Sequence, residues 1–184
     1  MIKLEPQMLA GVFLLKPDRF GDSRGFFSET FRADLMEGAG VTPRFVQDNH
    51  ARTEKKGTLR GLHFQAPPSA QAKLIRVTRG TILDVVVDVR TGSPTYGEHV
   101  AAELSEENWV QLFVPAGFAH GYLTLTDDSE VLYKTTDYWQ PTAEGGLLWS
   151  DPDLGIEWPL PTDQILANDR DKSWPRLEEL KSPF

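Results

Sequence analysis

A chain of 184 residues with 19 basic and 27 acidic side chains carries a formal charge of −8, which opposes the large basic footprint that a nucleic-acid duplex requires. Its 40% hydrophobic share is ordinary for a globular protein, no apolar run approaches the ~20 residues of a membrane span, and no basic-then-apolar leader opens the chain. Cysteine is absent, so disulfides and thiolate chemistry are excluded; the expectation is one domain over residues 1–184, cytoplasmic, with no nucleic-acid or membrane partner.

In chain order, residues 1–15 read as mixed strand. The stretch 28–40, SETFRADLMEGAG, is the best helix candidate: Phe27, Phe31 and Leu35 recur at i, i+4, and Gly38 and Gly40 supply the stop. GTLRGLHFQ (57–65) is strand-like. KLIRVTRG (73–80) runs directly into TILDVVVDVR (81–90), and TGSPTYG (91–97) is a Gly/Pro turn cluster. HVAAELS (99–105) and WVQLFVP (109–115) are further strands separated by the turn SEEN. GYLTLTDDSEVLYKTTDY holds two more around Asp127-Asp128-Ser129. Short β-rich runs every 8–12 residues predict an all-β sandwich or barrel; a parallel α/β sheet would need helices between the strands. The tail beyond Tyr138, rich in Pro, Trp and Asp, is expected to wrap the barrel, with a short helix near 175–181.

His63 and His120 lie on separate strand-like segments, the second within PAGFAHGYL (115–123), and a barrel metal site is the first chemistry to test. Such a site needs two or three imidazoles and a carboxylate converging on one ion. Here Gln65, a poor ligand, occupies the next same-face position after His63, and Glu54 and Asp84 belong to other segments, so no ligand set forms. Ordinary packed histidines are the plain alternative. Against that stand polar residues on runs that should be apolar. Ile82, Asp84, Val86 and Asp88 share one strand face; Leu83, Val85, Val87 and Val89 share the other. A buried Asp84 requires a cationic or hydrogen-bonding partner. Lys73 shares a face with Ile75 and Val77, and Tyr133 with Val131 and Thr135. A cavity lined by His, Lys, Tyr and Asp is equipped for proton transfer. Strict alternation sends Arg60 to the face opposite His63, so a shared site predicts a twist or bulge at Gly61.

The segments FGDSRGFFSETF, QDNHARTEKKGTLRGLHFQ, AKLIRVTRGTILDVVVDVRTGSPTYG, PAGFAHGY, LYKTTDYWQPTAEGGLLWSDP and DRDKSWP occur in that order. Together they closely resemble the dTDP-4-dehydrorhamnose 3,5-epimerase family, over roughly nine-tenths of the chain. The resemblance implies a cupin-like jelly roll, a homodimer with exchanged N-terminal strands, and no metal or cofactor. It implies His63 as base, Tyr133 as acid, Lys73 as the enolate-stabilising cation and Asp171 as the partner of the base, with Asp169 as the alternative. Asp84 and His120 match a second pair lining the pocket. Phe20, Arg24, Glu29, Gln47, Asp48, Asn49, Arg60, Glu144 and Arg170 match substrate-binding positions, Arg170 standing where the family commonly has Lys. Tyr138 or Trp139 matches the aromatic that stacks on thymine.

The implied substrate is a 4-keto-6-deoxyhexose on dTDP, converted to dTDP-4-dehydro-L-rhamnose by inversion at C3 and C5. Both carbons lie alpha to the C4 ketone, so an imidazole of ordinary pKa ~6.5 suits proton removal and a phenol of ~10 suits delivery. The developing charge on O4 calls for a fixed cation, and the diphosphate for guanidinium groups such as Arg24 and Arg60. The alternatives are a mono-epimerase acting at C3 or C5 alone, and a sugar-nucleotide-binding cupin without turnover.

Overall fold

The computed structural model describes all 184 residues. Thirteen strands dominate: β1 (Ile2–Pro6), β2 (Phe13–Pro17), β3 (Phe20–Asp22), β4 (Gly25–Phe27), β5 (Gln47–Thr53), β6 (Leu59–Gln65), β7 (Lys73–Arg79), β8 (Thr81–Asp88), β9 (His99–Ser105), β10 (Gln111–Val114), β11 (Phe118–Thr124), β12 (Ser129–Thr135) and β13 (Glu144–Gly146). The helices are short, α1 (Ala33–Gly38) and α2 (Asp169–Lys172), with single 3-10 turns elsewhere in the tail. One sheet runs β1-β2-β10-β7-β12-β5 and a second β13-β6-β11-β8-β9; β3 and β4 form a separate hairpin. Every pairing between these strands is antiparallel, and the two sheets face each other as a jelly roll.

The alternation of β8 shows how the layers are built. Ile82 and Val86 point between the sheets, packing with Ile75, Val77, Leu112 and Val131. Val85, Val87 and Val89 point outward and are covered by the tail, through Leu147, Trp149 and Leu154. Asp88, on the inner face, is fully buried but receives Arg90 Nε at 2.9 Å, Arg90 Nη2 at 2.7 Å and the hydroxyls of Ser93 and Thr95 at 2.6 Å each. Those donors hold its carboxylate well below the usual range despite burial. The turn cluster 91–97 therefore closes by wrapping a carboxylate.

The helix over 28–40 shrinks to α1. Phe27 is drawn into the hairpin opposite Phe20, and the Ser28 hydroxyl donates to the Asp18 carbonyl at 2.8 Å, so the first turn never forms. Phe31 packs edge-on against Phe45 instead, and Met36 seals the outer face of the first sheet against Ile2, Leu15, Leu74 and Phe113. The strand over 109–115 starts two residues late, because Trp109 takes φ 58° and the Asn108 side chain accepts from the backbone N–H of Val110 at 3.0 Å. β1 pairs with β2, and β2 in turn with β10 of the same chain.

Candidate active site

β6 carries two potential site residues whose spacing conflicts with alternation, and the strand resolves the conflict by bulging. His63 pairs with His120 of β11 and Arg60 with Tyr122, so Gly61 and Leu62 together oppose Gly121. Gly61 adopts φ +125°, and a Cβ there would sit 2.6 Å from Gly121 Cα and 2.8 Å from the His120 carbonyl oxygen. Only glycine fits, and the extra residue brings Arg60 and His63 to one cavity. That cavity, of about 300 Å³, opens between the sheets.

His63 Nε2–H donates to Asp171 Oδ1 at 2.6 Å, and Asp171 is buried to 1% exposure. The carboxylate takes the Gly61 N–H on Oδ2 at 3.1 Å, while its own backbone N–H donates to Asn168 Oδ1 at 2.7 Å, the N-cap of α2. Burial works against the charged form of Asp171, but the bond to His63, the Gly61 amide and nearby Arg170 more than offset it and leave its pKa below the usual carboxylate value. An ionised Asp171 fixes the ring and leaves His63 Nδ1, which has no protein partner, as the basic nitrogen. Asp169 is exposed and does not line the cavity.

Lys73 and Tyr133 come from the facing sheet, on β7 and β12, and line the same cavity. Burial pulls the Lys73 ammonium down to about 8, opposed by the charges of Asp84 and Glu144. Burial also pushes the Tyr133 phenol up, so it is protonated at neutral pH. The second pair repeats the first: His120 Nε2–H donates to Asp84 Oδ1 at 2.6 Å, with both side chains buried. Burial lowers the His120 pKa despite the Asp84 charge, favouring the neutral ring. Arg60 enters the cavity bonded to the Thr53 hydroxyl, 3.3 Å from Nε, with no carboxylate against it. Arg170 reaches the rim, paired with Glu144 at 2.7 Å. Trp139 lines the wall; Tyr138, 60% exposed, does not.

Besides Tyr138, the sequence-derived positions Phe20, Arg24, Glu29 and Asp48 lie away from this cavity. Phe20 and Arg24 sit on the exposed β3–β4 hairpin, Arg24 closed onto Asp22 at 2.6 Å, and exposed Glu29 follows it. Asp48 points to the outer face of its sheet and pairs with Lys134 at 2.7 Å. Its neighbours Gln47 and Asn49 are half-buried on the opposite face, with Ala51 of the cavity wall, and bond each other at 2.9 Å. No group of three His, Asp or Glu side chains converges in a geometry that would hold a metal ion.

Sequence reasoning passed over Asn168, Gln71 and Tyr122, all of which line the cavity. Tyr122 was detectable as the next same-face residue after His120. Asn168 was detectable as an N-cap before Asp-Arg-Asp. Gln65 is buried and holds backbone, donating from Nε2 to the carbonyls of Ser69 at 2.7 Å and Tyr138 at 3.1 Å, and accepting from the Gln140 N–H at 2.8 Å.

Fold and site together define a jelly-roll protein equipped for acid–base chemistry: an oriented imidazole, a half-buried ammonium and a protonated phenol around one cavity. The family profile of dTDP-4-dehydrorhamnose 3,5-epimerase matches residues 6–179. The dTDP-4-dehydrorhamnose 3,5-epimerase of Sinorhizobium fredii is 50% identical over 176 residues, covering 96% of this chain and 90% of its own length. The crystal structure of the Legionella pneumophila dTDP-6-deoxy-D-glucose-3,5-epimerase in complex with dTDP-4-keto-L-rhamnose superposes with a TM-score of 0.92, at 40% identity, covering 98% of this chain and 95% of that one. A 3'-monoepimerase from Streptomyces bikiniensis, bound to dTDP-quinovose, superposes with a TM-score of 0.86, at 36% identity, covering 94% and 87%. The chain belongs to the dTDP-4-dehydrorhamnose 3,5-epimerase family.

Proposed function

We propose that this chain epimerises dTDP-4-dehydro-6-deoxy-D-glucose at C3 and C5, giving dTDP-4-dehydro-L-rhamnose for dTDP-rhamnose synthesis. The observation that carries the reading is that the His63–Asp171 pair opens onto the same cavity as Lys73 and Tyr133, which reach it from the facing sheet. His63 removes the proton alpha to the ketone, and the electron pair moves onto O4 as an enolate. The Lys73 ammonium stabilises that charge. Tyr133 returns a proton to the opposite face, inverting the carbon, and the imidazolium and phenolate reset by exchange with solvent. The same cycle serves the second carbon. The scheme uses no cofactor.

Arg60, free of any carboxylate, suits the diphosphate, and Trp139 offers a face to thymine. Within the same proposal the working unit is a homodimer. The β3–β4 hairpin presents Phe20, Phe26 and Phe27 at 57%, 59% and 66% exposure beside Arg24, a surface a partner subunit would cover. Placed against that partner's cavity, the hairpin brings Phe20, Arg24 and Glu29 to a nucleotide. A cytoplasmic location is part of the same reading, and no helix is long and apolar enough to cross a membrane.

Product analysis tests the function. After incubation with dTDP-4-keto-6-deoxyglucose and reduction of the ketone, proton coupling constants should identify rhamnose configuration at both C3 and C5. Inversion at one carbon would make the chain a mono-epimerase, and recovery of unchanged substrate would leave a binding protein.

A further inference from the structure

The segment Asp137–Gln140 carries two large, exposed aromatic side chains, Tyr138 and Trp139, outside any strand. Its backbone is held by amide side chains from three different places. Gln71 Nε2 donates to the Asp137 carbonyl at 2.7 Å. Gln65 Nε2 donates to the Tyr138 carbonyl at 3.1 Å, and its Oε1 accepts from the Gln140 N–H at 2.8 Å. Gln47 Oε1 accepts from the Trp139 N–H at 3.1 Å.

Each contact is to main chain, so the aromatic rings are not consumed in holding the segment. Gln65 is 4% exposed, and it sits two residues after His63 on the same strand, opposite Glu144. A buried amide that satisfies three backbone groups is costly to move, because each group left unpaired loses its compensation. We infer that Gln65 and Gln71 are positioning residues that fix the Trp139 ring at the cavity wall as a preformed face for a flat heterocycle. The inference rests on the nucleotide-sugar reading above, and adds to it the residues that set the ring in place. Ordering the segment before binding removes an entropic cost from association, so its effect falls on affinity more than on the chemical step.

The test uses Gln71→Ala, which deletes one contact, and Gln65→Glu, which keeps the acceptor but removes both donations. Calorimetry with dTDP measures affinity, steady-state kinetics separate KM from kcat, and thermal unfolding checks that both variants fold. Gln71→Ala should weaken dTDP binding about fivefold, the scale of one lost hydrogen bond. Gln65→Glu should weaken it more, with the loss in both falling on Kd and KM rather than on kcat. In a Trp139→Ala background, Gln71→Ala should add no further loss, because the glutamine acts through the ring. Wild-type dTDP binding that both variants retain in full overturns this inference alone, as does an undiminished Gln71→Ala loss without Trp139. A wild-type chain that binds no dTDP overturns the functional reading and this inference with it. Should Gln65→Glu fail to fold, Gln71→Ala and the double variant decide the question by themselves.

Discussion

At Lys73, burial and neighbouring charge pull in opposite directions, and the balance leaves an ammonium that titrates at about 8. The group is charged below that pH and neutral above it, so the enolate stabilisation proposed for it would fade as pH rises. We expect kcat/KM, which reports the free enzyme, to fall through an alkaline limb near pH 8. In Lys73→Arg, whose guanidinium stays charged, the limb should move upward whatever the residual rate; a limb that stays put belongs to another group. Tyr133 tests the other side of the reaction. Its phenol is kept protonated by burial, and Tyr133→Phe removes the proton without removing the ring. Net inversion should fall by at least about 100-fold, the usual scale of a general acid, while exchange of a substrate alpha proton with solvent persists. Equal loss of exchange and inversion would move the acid role elsewhere.

Among the elements, β6 decides the site. Its bulge turns Arg60 and His63 to one cavity, and it depends on glycine at φ +125° packed 2.6 Å from Gly121 Cα. Gly61→Ala should cost at least about 2 kcal/mol in urea unfolding, from backbone strain and the clash together, and should remove turnover. An unchanged midpoint with wild-type rate would mean that the strand tolerates a regular register. The bulge was legible beforehand because two useful side chains stood at odd spacing around a glycine. The β8 faces were legible as well, from unbroken alternation of apolar residues with Asp84 and Asp88 as the exceptions. β5 was harder to see as a strand, since its inner positions are Gln47 and Asn49 and the pattern of a buried face is missing. The short helix α2 is four residues long and has no apolar period, so only its Asn168 cap marks it. Gln65 was recognised as a non-ligand, but its grip on the backbone of Tyr138 and Gln140 depends on tertiary placement that no local pattern encodes.

Over the whole molecule, one chain brings His63, Tyr133 and Lys73, the proposed base, acid and cation, to one cavity but leaves Phe20, Arg24 and Glu29 outside it. The proposed homodimer would account for those three residues and for the exposed aromatic hairpin. Sedimentation equilibrium should return twice the 20.7 kDa chain mass, and Arg24→Ala should weaken dTDP binding about tenfold, the scale of a charge-assisted contact, without changing that mass. A monomer, or an Arg24→Ala protein that binds dTDP like wild type, would remove the hairpin from the site. The proposed double epimerisation depends on His63 lifting protons from both carbons flanking the ketone. Proton NMR of dTDP-4-keto-6-deoxyglucose in D2O with the wild-type protein, and with His63→Ala, tests that most directly. We predict deuterium at C3 and at C5 with the wild type, and at neither carbon with a folded His63→Ala protein that still binds dTDP. Exchange that continues in His63→Ala at the wild-type rate, or a wild type that labels neither carbon, would contradict it.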